Sequence, residues 1–227
     1  MASSRSQVRV VIVEDHVLFA ESLELALTVE GYDVRRLALP AEAASVGSLV
    51  AAIVRLHPRI VLLDFDLGLF GDGVRLVEPL AKVGTDVVVV TAATDEARWG
   101  QALRHGARTV LSKSQPLNDI LATVRRLNQG LSVLDVRERE KLISTWHHRR
   151  HELCDLQTKI DLLTARESQV LGHLMRGRTV HEIASTSVVS EATVRTQVKA
   201  ILAKLEVSSQ IAAVGLAHRL GWKSPVA

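Results

Sequence analysis

Short apolar runs alternate with longer amphipathic stretches over the first 128 residues of this 227-residue chain. Val8 to Val13, Val34 to Leu37, Val61 to Leu63, Val87 to Val90 and Thr109 to Ser112 each read as a strand. A run that is apolar on consecutive positions, bounded by turn residues, predicts a strand buried on both faces. The run at 34–37 is the weakest, because Arg35 and Arg36 sit inside it, and that predicts an edge strand. The spacers predict helices over 17–29, 40–56 (with Ala43, Ala44, Leu49, Val50 and Ile53 apolar), 74–82, 92–105 and 116–128. Gly31 and Gly106 serve as stops, and Pro116 stands where its missing N–H costs nothing. Five strand–helix units predict an α/β fold, a five-stranded doubly wound parallel sheet with helices on both faces.

The strand ends carry polar residues that the apolar pattern does not require. Strand one runs into Glu14 and Asp15, strand three into Asp64, strand four into Thr91 and strand five into Lys113. In an open parallel sheet these ends share the edge where ligands bind. Three carboxylates at one point repel each other, and a hard dication such as Mg2+ relieves that repulsion. Glu14, Asp15, Asp64 and a backbone carbonyl, that of Asp66, form the candidate metal set. A lone carboxylate beside magnesium suits phosphoryl transfer, with Asp64 attacking phosphorus to form an acyl phosphate. Lys113 would pair with a phosphoryl oxygen, and Thr91 would donate a hydroxyl hydrogen bond to it. Neither a Gly-x-Gly-x-x-Gly nor a Gly-x-x-x-x-Gly-Lys-Ser/Thr motif occurs, so nucleotide binding has no support.

Charge changes the picture for the second half. Residues 1–134 hold 14 Lys and Arg against 15 Asp and Glu, whereas residues 135–227 hold 14 against 10. The basic excess is therefore C-terminal, where a polyanion partner would bind. A single cysteine, Cys154, excludes a disulfide network and reads as a small buried residue. No signal-type N-terminus and no long apolar run are present, which predicts a soluble cytoplasmic protein.

From Leu142 the positions Trp146, Arg149, Leu153, Leu156, Ile160 and Leu163 follow at heptad-like spacing without Gly or Pro. Two readings stand: a connecting helix whose stripe packs on its own domains, or a dimerising seam over 142–163. His147 and His151 share a helix face but lack the Glu of a His-Glu-x-x-His site, so a solvated face is favoured over zinc.

Beyond Leu163 the pattern is all helical. Thr164…Glu167 and Thr179…Glu182 have capping-box spacing, Ser190 caps a helix over 191–205, and Ser208 or Ser209 caps a fourth. Helices at 179–187 and 191–205 have helix-turn-helix spacing. Val194, Val198, Ile201, Leu202 and Leu205 face inward, leaving Arg195, Thr196 and Lys199 outward, where they suit phosphates and base edges.

These motifs resemble two families. Residues 8–128, with Glu14-Asp15-His16, Asp64, Thr91 and Lys113 in order, resemble the flavodoxin-like receiver domain of two-component response regulators. Residues 162–220, with Leu163-Thr164, Arg166-Glu167, Glu182-Ile183-Ala184, Thr193-Val194 and Lys204-Leu205, resemble the LuxR-type (NarL/FixJ-like) DNA-binding domain. The resemblance implies a receiver over 6–128, a helical linker over 129–161 and a small all-α helix-turn-helix domain over 162–222. It also implies phosphorylation of Asp64 by a sensor histidine kinase, magnesium in the pocket, and no enzymatic activity beyond the receiver's own phosphoryl chemistry. It implies double-stranded promoter DNA contacted by Arg195 and Lys199, with Thr196, Gln197 and Lys204 nearby, and a homodimer. The departures are Gly68 in place of a usual proline, Val110 in place of a usual aromatic, and Ser114 in place of a proline after Lys113. Ser187 replaces a core leucine, which Val188 or Val189 would have to offset, and Gln210 replaces an arginine. They leave open an alternative, a regulator that dimerises and binds DNA independently of phosphorylation.

Overall fold

The computed structural model describes residues 8–39 and 45–224 and divides into two units, with the boundary between His147 and His148. In the first unit β1 (Arg9–Val13), β2 (Asp33–Arg36), β3 (Ile60–Leu63), β4 (Asp86–Thr91) and β5 (Thr109–Ser112) pair in parallel in the order β2-β1-β3-β4-β5. The arginine-containing strand is at an edge, as its pattern predicts. The order reverses between β1 and β3, which opens a crevice beyond their C-terminal ends.

Period-two alternation explains how both faces fill. Val11, Val13, Val61, Leu63, Val87 and Val89 belong to one core, with α2 (Val46–Arg55), α3 (Val74–Lys82) and α4 (Glu96–Arg104). Val10, Ile12, Ile60, Leu62, Val88 and Val90 belong to the other, with α1 (Val17–Val29) and α5 (Leu117–Asn128). The helix predicted from residue 40 is described from Val46, with Ser45 accepting from the Ser48 N–H as its cap; Ala43 and Ala44 lie outside the described residues. The helix predicted over 92–105 starts four residues later. Asp95 caps it by accepting from the Ala97 N–H at 2.9 Å, so residues 92–95 form a loop.

The long helix α6 (Val136–Asp161) crosses the unit boundary. Within the first unit its opening turns pack on α4. A Cβ on Gly100 of α4 would collide with the Leu142 carbonyl, so only glycine allows the two backbones to approach this closely. Leu142 joins the sheet core, and Arg139 donates to the carbonyls of Leu103 (2.7 Å) and Ala107 (3.1 Å). Leu103 lies in the last turn of α4 and Ala107 in the segment that follows, so the one guanidinium ties α6 to the end of α4. Within the second unit Leu156 and Ile160 pack into the C-terminal core. The apolar seam is thus used at each end within its own unit, while Cys154 is exposed rather than buried.

The second unit holds α7 (Ala165–Met175), α8 (Val180–Ser187), α9 (Glu191–Leu205) and α10 (Gln210–Arg219). Both predicted capping boxes form, at Thr164/Glu167 and Thr179/Glu182, and Ser190 and Ser209 cap the last two helices. Val188 takes a left-handed conformation (φ 54°) at the end of α8 and is 90% exposed, so it is Val189 that packs on the core beside Ser187. Among the described residues no single helix is long and apolar enough to cross a membrane.

Candidate functional site

The crevice between β1 and β3 gathers the strand-end residues. Asp64 is 3% exposed; its backbone N–H bonds the Val13 carbonyl and so continues the β1–β3 ladder past the strand. The loop that follows turns sharply back on it. The Gly73 N–H donates to the Phe65 carbonyl at 2.6 Å, and a Cβ on Gly73 would overlap the Asp64 carbonyl oxygen. Gly68 has φ +55°, a conformation closed to proline, whose ring holds φ near −65°. Its exchange for the usual proline therefore goes with a different loop path, extended by a bridge between Asp66 and Asp72. None of the described peptide bonds is cis, so Lys113–Ser114 is trans.

Lys113 reaches into the crevice and donates to Asp64 Oδ2 at 2.6 Å and to Glu14 Oε1 at 2.8 Å. Its ammonium lies over the Phe19 ring, with Nζ 5.2 Å from the centroid. Glu14 is almost wholly enclosed, whereas the Asp15 side chain is 30% exposed. His16 Nδ1 lies 3.1 Å from Glu14 and 2.9 Å from Asp15. Burial raises the Glu14 carboxyl above its ordinary value and the Asp64 charge adds to this; Lys113 and the His16 N–H pull it back. Burial acts to lower the Lys113 ammonium, but its bonds to Asp64 and Glu14 outweigh it and hold the ammonium above its ordinary value. Three carboxylates thus face one ammonium.

Ligand atoms of Glu14, Asp15, His16 and Asp64 all lie within 4.8 Å of one another. The three carboxylates fit a hard dication, and the surplus negative charge gives it a reason to bind; the imidazole suits such an ion less well. Asp66, whose carbonyl was expected to complete the set, starts the long loop, and its carboxylate is 3.6 Å from Arg98.

Thr91 is fully buried at the end of β4, and its carbonyl accepts the Lys113 N–H at 2.8 Å. Its hydroxyl oxygen accepts the Ala93 N–H at 3.0 Å, and the Ala93 carbonyl accepts the Trp99 indole N–H at 2.9 Å. Trp99 packs against the core cluster that holds Val110 and Leu142. Sequence reasoning passed over Trp99 and also Arg98, whose guanidinium stacks 4.7 Å from the Phe65 ring centroid and donates to Asp72. Their helical spacing gave no signal, because both contacts reach back across loops.

On α9, Arg195, Thr196 and Lys199 are exposed as expected. Arg195 pairs with Glu191 at 2.9 Å, and Glu191 also meets His181. Lys199 has no carboxylate partner among the described residues. Gln197 is half-buried, with a side-chain oxygen that has no hydrogen-bond partner. Lys204 is engaged internally, donating to Glu167 at 2.7 Å and to the Leu162 carbonyl at 3.1 Å.

A parallel 2-1-3-4-5 sheet with an acid-lysine crevice, joined to a helix-turn-helix unit, defines the class of two-domain signalling regulators. Comparison with known proteins agrees. The response regulator receiver domain family matches residues 10–125, and the bacterial regulatory proteins of the luxR family match residues 161–217. The chain belongs to the response regulators with a LuxR-type DNA-binding domain, a family of transcription regulators rather than enzymes. It is 26% identical to the transcriptional regulatory protein LiaR of Bacillus subtilis, over 93% of this chain and 97% of LiaR. It is 29% identical to the probable transcriptional regulatory protein NarL of Mycobacterium tuberculosis, over 94% of each chain. A solved structure of the RcsB response regulator of Salmonella typhimurium aligns with 94% of this chain and 99% of its own, at 20% identity and a TM-score of 0.49.

Proposed function

We propose that this regulator is switched by phosphorylation of Asp64 and acts on promoter DNA in the cytoplasm. The observation that carries the reading is the charge imbalance in the crevice: Asp64 is enclosed, paired with Lys113 at 2.6 Å, and faced by two further acids. Glu14, Asp15 and Asp64, with the Asp66 carbonyl, would hold magnesium. Magnesium, when bound, supplies neutralisation of the transferring phosphoryl oxygens.

Asp64 supplies the attacking carboxylate oxygen; its bond to phosphorus forms as the bond between phosphorus and the donor's leaving group breaks. Lys113 exchanges its contact with Asp64 for one with a phosphoryl oxygen. Thr91 turns its hydroxyl toward the same group and gives up the Ala93 N–H. Because the Ala93 carbonyl holds the Trp99 indole, the loop movement reaches the core beside Leu142 of α6. Trp99 thereby takes over the relay that an aromatic at position 110 would serve, and Val110 is no obstacle to switching. Arg195, Thr196 and Lys199 form the DNA face of α9, with Gln197 behind them. Lys204 serves DNA binding indirectly, by fixing α9 to α7. The activated form is a homodimer matching two half-sites.

The test is labelling by a sensor histidine kinase or a small phosphodonor with magnesium, read by intact mass. One phosphoryl group on the wild type and none on Asp64→Asn is the expected result; equal labelling of both overturns the assignment.

A further inference from the structure

We propose that the cleft between α7 and the end of α8 is a binding site for a phosphoryl oxyanion, separate from both the receiver crevice and the outer face of α9. Arg166 and His173 lie on a single face of α7, Arg176 follows as its C-terminal cap, and Arg178 joins them from the turn before α8. The concavity they line measures about 630 Å³ and no carboxylate lines it. This sets it apart from the outer face of α9, where Arg195 is neutralised by Glu191.

The contacts inside the cleft hold Arg166 and Arg176 in place without cancelling their charge, while the charge of Arg178 is shared with Glu182 outside the lining. Arg166 donates to Gln169 Oε1 at 3.0 Å and to the Ser187 carbonyl at 3.3 Å, both neutral acceptors. Arg176 approaches His173 Nδ1 at 3.2 Å. A guanidinium can only donate, so the imidazole accepts there and is left with Nε2–H as a donor. Burial, and then the charges of Arg176, Arg178 and Arg166, lower the His173 imidazole below its ordinary value. Three like charges around one concavity repel each other, and an anion relieves the repulsion. The planar forks of arginine match the oxygens of phosphate in pairs, where a lysine would offer only a point charge. The phosphoryl group comes either from a DNA backbone or from free phosphate.

The experiment follows the His173 ring resonances of the full chain by NMR while inorganic phosphate is added at constant ionic strength, with chloride as the control. A saturable shift that chloride does not reproduce and that Arg176→Gln/Arg178→Gln loses is expected. The same variant, in duplex binding across a salt series, separates the sources. A salt slope reduced by about 0.9 per lost contact identifies a backbone phosphate. An unchanged slope with the phosphate shift lost identifies free phosphate. No phosphate shift, a shift that chloride reproduces, or one that survives in the variant overturns the proposal. The phosphate arm does not depend on DNA binding, so it stands or falls apart from the proposed function. Both arginines are exposed, and the far-ultraviolet dichroism of the variant checks that the helices are kept.

Discussion

Two lysines in this protein make nearly the same bonds and do different work. Lys113 donates to two carboxylates at 2.6 and 2.8 Å, and Lys204 donates to one carboxylate at 2.7 Å and a carbonyl at 3.1 Å. At Lys204 the charges balance. Glu167 also accepts from the Thr164 N–H and hydroxyl through the same oxygen, and the pair fastens α9 to α7. At Lys113 they do not balance, because Glu14, Asp15 and Asp64 leave surplus negative charge at a crevice that stays open through Asp15. A satisfied ion pair is a fastener, whereas an unsatisfied one is ready to take up another charge. Short distance alone does not tell the two apart.

Removing each ammonium should therefore break different things. Lys113→Met should lower the rate of Asp64 phosphorylation by at least about tenfold, since one lost charge-assisted bond is worth about 1.5–3 kcal/mol. Lys204→Met should leave phosphorylation alone and cost the C-terminal unit about 2 kcal/mol in urea unfolding, because Glu167 loses its charged partner. Equal labelling rates for wild type and Lys113→Met would remove the distinction between the sites.

Acid sharpens the same contrast. Burial acts to raise the Glu167 carboxyl, but the bonds from Lys204 and Thr164 win and hold it below its ordinary value of 4.5. A carboxylate depressed in the folded state contributes stability that is present above its unfolded pKa and is lost as pH falls through the folded one. Unfolding of the C-terminal unit should thus become easier below about pH 4.5, and Glu167→Gln, which keeps a residue able to close the capping box, should flatten that dependence while costing about 2 kcal/mol at neutral pH through the lost charge pair with Lys204. An unchanged acid limb in Glu167→Gln would show that the pair contributes nothing. A smaller effect is expected at Lys199, which has no carboxylate partner among the described residues. Lys199→Gln should weaken duplex binding and reduce the slope of log affinity against log salt by about 0.9, where a retained slope would place Lys199 away from phosphates.

Much of this was legible in the chain, and the reasons differ by element. The central strands announced themselves because both of their faces are buried, so nothing interrupts the apolar run. Helix α1 and helix α9 begin and end at the expected residues because local signals, Gly31 for one and Ser190 for the other, mark their limits. Helix α4 begins late because Asp95 is a stronger local cap than anything at residue 92. The strand-end residues came together because topology places every β C-terminus at one edge. What stayed hidden depends on contacts distant in sequence. Nothing near Gly100 says that the backbone of Leu142 will press on it, and nothing near Lys204 says that Glu167, 37 residues away, will claim its ammonium. Trp99 reads as one more apolar residue until its indole is seen on Ala93, whose N–H the Thr91 hydroxyl accepts.

That relay invites its own test. Trp99→Leu keeps an apolar side chain but removes the indole N–H. Labelling of Asp64 should persist while the response of DNA binding to the phosphodonor falls away; an undiminished response would assign the coupling to another route.

Phosphate on Asp64 is proposed to control DNA binding. The most direct measurement is the affinity of the full chain for a promoter duplex at fixed salt, with magnesium, with and without a small phosphodonor, in wild type and Asp64→Asn. Tighter binding with the donor in the wild type alone is the expected result. Equal affinity in all four samples would contradict it and identify a regulator that binds DNA without regard to phosphorylation.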